Sequence, residues 1–243
     1  LAAGVPMWVL GWVVYPMVAA GKPAADAGVW RLGLLGLGLI WQFVLSLIIL
    51  YWEEGNIHIG TIKRRFWLNN PVSPKTGEVN NRLWWMLLPF FLLVAFLDAI
   101  VSGPLNNLVI RVMPFMAAPP GFDFESLTTP ELLPQWVGAW DLFALTLVVV
   151  TFNTFLGEEF IFRGVLLPKM EGVFGKWDWV TNAILFSVYH LHQPWTIPGN
   201  IVSALAIVYP GRAYRSNWFP IILHSGQSVM IIILVLGLVL GLV

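Results

Sequence analysis

Cysteine is absent from the 243 residues, which excludes a disulfide framework, a thiolate-ligated metal centre and a thiol nucleophile. Charge is scarce too: Asp, Glu, Lys and Arg make up 11% of the chain, against about 25% in a soluble domain. So few charges leave a water-facing surface uncovered. Thirteen basic residues balance thirteen acidic ones, so the basic excess of a nucleic-acid binder is missing and no nucleic-acid partner is expected. Disorder is excluded as well, because its signature is low hydrophobicity with high net charge. What the chain has is apolar surface: 58% hydrophobic residues, a mean hydropathy of +0.78 and runs such as Leu32 to Trp52. The reading is an all-α, polytopic transmembrane bundle of about seven to eight helices. It forms one transmembrane domain over residues 1–243, with its polar motifs in the half at about 140–243.

A span needs roughly 20 mostly apolar residues. Candidates run from about Ala3 to Ala20, Leu32 to Trp52, Leu83 to Ser102, Trp136 to Leu167, Val180 to His192, Asn200 to Tyr209 and Trp218 to Val243. The first has no polar n-region or small-residue cleavage site before it and reads as a span, not a cleaved signal. The fourth is too long for one perpendicular helix, so it must tilt, bend or project. Several Trp residues (Trp30, Trp52, Trp84, Trp140, Trp179, Trp218) mark the ends of these runs, where amphipathic rings settle at the bilayer interface. With seven spans, Lys63, Arg64, Arg65, Lys75, Arg82, Lys169, Lys176, Arg212 and Arg215 fall on one side, and Lys22, Arg31 and Arg111 on the other. The positive-inside rule makes the richer side cytoplasmic. The proline-rich segment Gly103 to Gln135, with Asp123, Glu125 and Glu131, is then external and irregular. Membrane lipid is an expected partner, and the Lys63–Arg65 cluster suits orientation and headgroup contact.

An ionisable group inside a span costs roughly 2.5–3.5 kcal/mol on insertion scales, so each one demands a reason. The group comprises Asp98, Glu158, Glu159, Arg163, His190, His192 and His224. Glu159 and Arg163 stand at i and i+4 and can neutralise each other as a structural pair. Glu158 lacks such a partner, which favours chemistry. Phe186 and His190 share a helix face, whereas a regular helix turns His192 roughly 200° from His190, leaving His192 as an ordinary buried histidine. His224, Gln227 and Ser228 form a polar stripe in an otherwise aliphatic helix, open also to the plain reading of an interhelical hydrogen-bond cluster. By helical rise, Glu158, His190 and His224 lie roughly 14, 15 and 9 Å from the cytoplasmic ends of three different spans. Convergence at one depth is what a site requires.

One carboxylate and two imidazoles, with no thiol, suggest activation of a water molecule. Glu158 can take its proton, helped by His190, while His224 with Gln227 or Ser228 donates to a developing oxyanion. The same Glu158, His190 and His224 are also candidate ligands for a divalent metal such as zinc, with no cofactor fixed by the sequence. No HExxH motif is present.

The ordered set Glu158-Glu159…Arg163, Phe186…His190 and His224…Ser228 resembles the CAAX-processing and bacteriocin-processing (CPBP, or Abi) family of intramembrane proteases. The resemblance runs from about Phe155 to the C-terminus. It implies a helical membrane bundle with a cavity open largely to the cytosol and cleavage of a membrane-anchored or prenylated peptide. It also implies that Glu158 and His190 activate water, that His224 and the residue four positions on form the oxyanion hole, and that Glu159 and Arg163 support them. Ser228 departs from the Asn usual there, which keeps a non-catalytic scaffold or immunity protein as an alternative. A proton- or cation-coupled transporter is a third reading, against which stands the lack of paired broken helices or an inverted repeat.

Overall fold

A backbone crossing hydrocarbon must satisfy its polar groups internally, and an apolar chain without alternating strand patterns does so as helices. The computed structural model describes residues 1–123 and 125–243; Phe124 and the side chain of Glu125, both in the expected external segment, lie outside the described residues. In chain order the helices are α1 (Gly4–Ala19), α2 (Ala24–Glu54), α3 (Ile59–Arg65), α4 (Asn81–Val112), α5 (Leu133–Trp136), α6 (Trp140–Met170), α7 (Asp178–Tyr189), α8 (Ile197–Ala213) and α9 (Trp218–Leu240). Among the described residues only isolated bridges, Val72 with Val79 and Gly172 with Gly175, interrupt this all-helical pattern.

Four helices, α2, α4, α6 and α9, are long and apolar enough to cross a membrane. The expected fifth and sixth spans are shorter: α7 has 12 residues and α8 has 17, about 18 and 25 Å of helix. Both begin and end at the same face, where Arg212 of α8 meets Asp178 of α7 at 2.8 Å. They therefore form a hairpin whose tip, 190–196, buries His192 and Trp195 and leaves Leu191 exposed. Helix α4 runs ten residues beyond the expected Ser102, so Gly103–Val112 is helical, not irregular. Pro104 lies inside this continuous helix, directly after a π-helical stretch at Leu97–Ser102.

Helix α6 resolves the excess length of the fourth span by changing its winding. Residues Phe152–Gly157 and Glu159–Leu166 are π-helical, with ordinary α turns on either side. A π turn bonds i to i+5, and such turns are found mostly at functional sites. Wider winding leaves carbonyls available to side chains: Asn182 donates to the Phe162 carbonyl at 2.8 Å and Asn217 to the Glu159 carbonyl at 3.3 Å. Gly157 lets α2 approach, because a Cβ there would lie 2.7 Å from the Leu39 carbonyl oxygen.

The basic residues that sort to one side of the sequence do gather at one end. Arg64 and Arg65 pair with Glu54 and Glu53, Lys169 with Glu53, and Arg212 and Arg215 with Glu171. Just inside that end Phe66, Phe160, Leu50 and Leu167 pack as core, with Phe66 seated on Gly164.

Candidate active site

Glu158 sits at the junction of the two π segments of α6, about 18 Å along the helix from Met170, and is 2% exposed. His190 begins the turn that ends α7, and His224 lies two turns into α9. Three separate elements thus bring the expected trio together. His190 Nε2 is 3.7 Å from Glu158 Oε1, and His224 Nε2 is 3.9 Å from Glu158 Oε2.

The orientation of each imidazole is fixed from behind. His190 Nδ1 lies 2.9 Å from the Phe186 carbonyl, which can only accept, so Nδ1 carries the hydrogen and Nε2 presents its lone pair to Glu158. Phe186 also supports the ring edge-on, centroids 4.8 Å apart. His224 Nδ1 lies 2.9 Å from Glu159 Oε1. Glu159 meets Arg163 at 3.3 Å as well, and neither has any exposed side-chain surface. The guanidinium is packed 3.9 Å from the Phe186 ring centroid, a cation–π contact in a dry setting. The Glu159–Arg163 pair is therefore structural, as its spacing suggests, and positions His224 in addition.

Two expected members are hydrogen-bonded to residues other than Glu158. Gln227 Nε2 donates to Asp98 Oδ2 at 2.7 Å, and Ser203 donates to the same carboxylate, so this part of the stripe answers a carboxylate on α4. That contact also explains why Asp98 is tolerated inside a span. Ser228 is buried, but its hydroxyl is bonded to Thr154 Oγ1 at 3.2 Å, one turn before Glu158 on α6. Both residues thus take part in interhelical hydrogen bonds.

His192 corrects the regular-helix argument. Because α7 stops at Tyr189 and continues as a tight 3₁₀ turn, His192 lies beside His190, with ring centroids 5.5 Å apart and planes 25° from parallel. Tyr189 is the residue the sequence reading passed over. Its buried hydroxyl faces Glu158 and Gln42 closely enough for both to act on it, though none of these contacts has the geometry of a well-formed hydrogen bond, and the amide of Gln42 is fully buried with it. The only sequence signal for Gln42 was an amide within an apolar run.

A cavity of about 240 Å³ adjoins this centre. Glu158, Tyr189, His190 and His192 line one part, and Leu32, Leu35, Val149, Val150, Ile231 and Val235 make apolar walls. It continues to Gly28, Leu127 and Trp136, toward the end of the bundle opposite the ion-paired basic face.

As a metal site the trio has the right donors, two imidazole nitrogens with their other nitrogens engaged and one carboxylate. The separations are too wide: ligands at zinc distances on a tetrahedron stand about 3.3 Å apart. Among the described residues, no group of three His, Asp or Glu side chains is set closely enough to hold an ion as placed. The gaps of 3.7 and 3.9 Å instead suit a bridging water.

Neither a curated protein nor a solved structure matches the chain. Residues 140–243, the part that carries the motifs and all of α6 to α9, match the family model described as Rce1-like, type II CAAX prenyl endopeptidase Rce1-like. This protein is thus an all-helical integral membrane protein whose residues 140–243 are similar to the CAAX prenyl endopeptidase family.

Proposed function

We propose that the protein is an intramembrane endopeptidase that cleaves a membrane-anchored peptide with a water activated by Glu158. The observation that carries this reading is the facing of both carboxylate oxygens of Glu158 by imidazole Nε2 atoms, each just beyond direct hydrogen-bond range. A water between Glu158 and His190 gives one proton to the carboxylate as its oxygen attacks the scissile carbonyl, while its second hydrogen points to His190 Nε2. Glu158 then returns the proton to the departing amine, which leaves as the C–N bond breaks. His224, when protonated on both nitrogens, donates Nε2–H to the tetrahedral oxyanion, and the Glu159 carboxylate behind it offsets the imidazolium charge. The Tyr189 hydroxyl, which faces Glu158 and Gln42 without a well-formed hydrogen bond, is a second donor beside Ser228, whose own hydroxyl is bonded to Thr154.

The substrate class follows from the walls. An apolar cavity beside the attacking group accepts aliphatic side chains, and a prenylated peptide is the first to test. The nine-residue basic face is the cytoplasmic one by the positive-inside rule, with Glu158 about 18 Å from it along α6. An active site open toward the cytoplasm belongs to this reading as an expectation. No step is assigned to a metal.

The deciding experiment is turnover of a farnesylated reporter peptide by purified protein in detergent. Glu158→Gln is isosteric and should abolish cleavage while the unfolding temperature stays close to that of the parent. Cleavage undiminished in that variant overturns the proposal. A stable complex with a partner protein, indifferent to changes at Glu158 and His190, would favour the scaffold reading that the loss of Ser228 to Thr154 supports.

A further inference from the structure

Helix α7 stops at Tyr189, and the turn His190–His192 follows it. The last carbonyls of a helix lack partners within the helix, and leaving them bare in an apolar bundle is costly. Pro194, just beyond the turn, has no N–H to offer. Three successive carbonyls at this end are nonetheless met. The Gln193 backbone N–H donates to the His190 carbonyl at 2.7 Å. The carbonyls on either side of His190 are met from the other end of the chain. The Trp8 indole donates to the Tyr189 carbonyl at 2.7 Å, and the Trp12 indole donates to the Leu191 carbonyl at 2.8 Å.

Helix α1 is shaped for this contact. Trp8 and Trp12 stand at i and i+4, one turn apart. Gly11 between them lets α1 come up against the turn, because a Cβ there would lie 3.2 Å from His192 Cβ. The Trp12 ring is itself held, stacked on Phe122 with centroids 5.4 Å apart. The Trp41 indole of α2 donates to the Ala2 carbonyl at 2.8 Å and ties down the start of α1. A tryptophan near a membrane surface commonly serves as an interfacial anchor. Here both indole N–H groups are engaged instead by the backbone that flanks His190. Neither ring is among the residues that line the cavity, and α1 lies outside residues 140–243.

We propose that Trp8 and Trp12 are positioning residues for His190: by holding the carbonyl before it and the carbonyl after it, they set the separation of its Nε2 from Glu158. The proposal rests on the endopeptidase reading and adds to it a part of the site that comes from the N-terminal helix. The gap between His190 Nε2 and Glu158 Oε1 is 3.7 Å, the space that holds the attacking water in that reading. The Phe186 carbonyl fixes the tilt of the His190 ring through Nδ1, but not the place of the backbone that carries the ring. A misplacement of about 1 Å at a reacting group costs about 100-fold in rate. His224 has a separate support, the Glu159 carboxylate of α6, and so serves as an internal control.

The test reads His190 directly. The full-length protein, isotopically labelled in its histidine nitrogens, is studied by NMR in detergent, with the imidazole signals assigned through His190→Ala and His224→Ala. Trp8→Phe and Trp12→Phe keep an aromatic ring and remove the N–H. Each should broaden or split the His190 signal, and the pair together more than either, while the His224 signal stays as in the parent. Turnover of the farnesylated reporter should fall about 10-fold in a single variant and about 100-fold in the pair, with KM within about twofold of the parent. The single variants decide if the pair does not fold. An unchanged His190 signal overturns the proposal, and so does equal broadening of His190 and His224, which marks a general loosening. A raised KM with kcat unchanged also overturns it and assigns the indoles to substrate binding. If Glu158→Gln still cleaves, the endopeptidase reading fails, whereas the His190 signal still decides whether α1 holds that ring.

Discussion

Arg163 has no exposed surface and, among the described residues, a single ion-paired carboxylate, Glu159, which also contacts His224. Removing that carboxylate leaves a buried charge uncompensated, a loss of about 3–5 kcal/mol for a buried pair. Glu159→Gln should therefore lower the unfolding temperature in detergent sharply, and Glu159→Gln with Arg163→Met should recover much of the loss. Activity should remain low in the double variant, because His224 no longer has a carboxylate behind it. Full activity there would separate Glu159 from the chemistry. Tyr189 offers the opposite pattern. Its hydroxyl faces Glu158 and Gln42 without a well-formed hydrogen bond, so Tyr189→Phe gives up little and should leave stability close to that of the parent. If it donates to the oxyanion, kcat should fall by about 100-fold with little change in KM. Steady-state kinetics beside a thermal melt distinguishes the two effects.

At the scale of elements, the π winding of α6 sets where Glu158 and Glu159 stand, and two asparagines from other elements satisfy carbonyls in that winding. Asn182→Leu keeps the size and removes the donor to the Phe162 carbonyl. The expected loss is about 1–3 kcal/mol, seen as a lower unfolding temperature. A neutral Asn182→Leu would mean that the widened turn holds its own carbonyls. The hairpin of α7 and α8 is the second device. Because α7 stops after 12 residues, its end falls beside Glu158 at the centre of the bundle instead of at a membrane surface. A helix continued through residue 192 would carry His192 away from His190, and their stacking depends on the stop.

At the scale of the whole molecule, the ion-paired basic face and the cavity lie toward opposite ends of the bundle. The lack of cysteine makes orientation directly measurable, since one introduced thiol is the only one present. With the basic face cytoplasmic, Lys176→Cys should be protected from a membrane-impermeant maleimide in intact cells, and Lys22→Cys should react. The reverse labelling would turn the cavity toward the cytoplasm.

Much of the site was legible before folding because buried charge in an apolar helix is costly wherever it occurs. That cost singled out Glu158, Glu159, Arg163, His190 and His224 from the sequence, and i to i+4 spacing alone identified the Glu159–Arg163 pair. Hydropathy likewise determined the helical class, and the basic residues sorted to one end as their spacing along the chain required. The tertiary structure decided what periodicity cannot. The stop after Tyr189 brought His192 beside His190, and the π turns changed the winding on which face arguments rest. Asp98 and Thr154, approaching from α4 and α6, drew Gln227 and Ser228 away from Glu158. A polar side chain in an apolar helix announces that it needs a partner, but which helix supplies that partner is settled only when the helices pack.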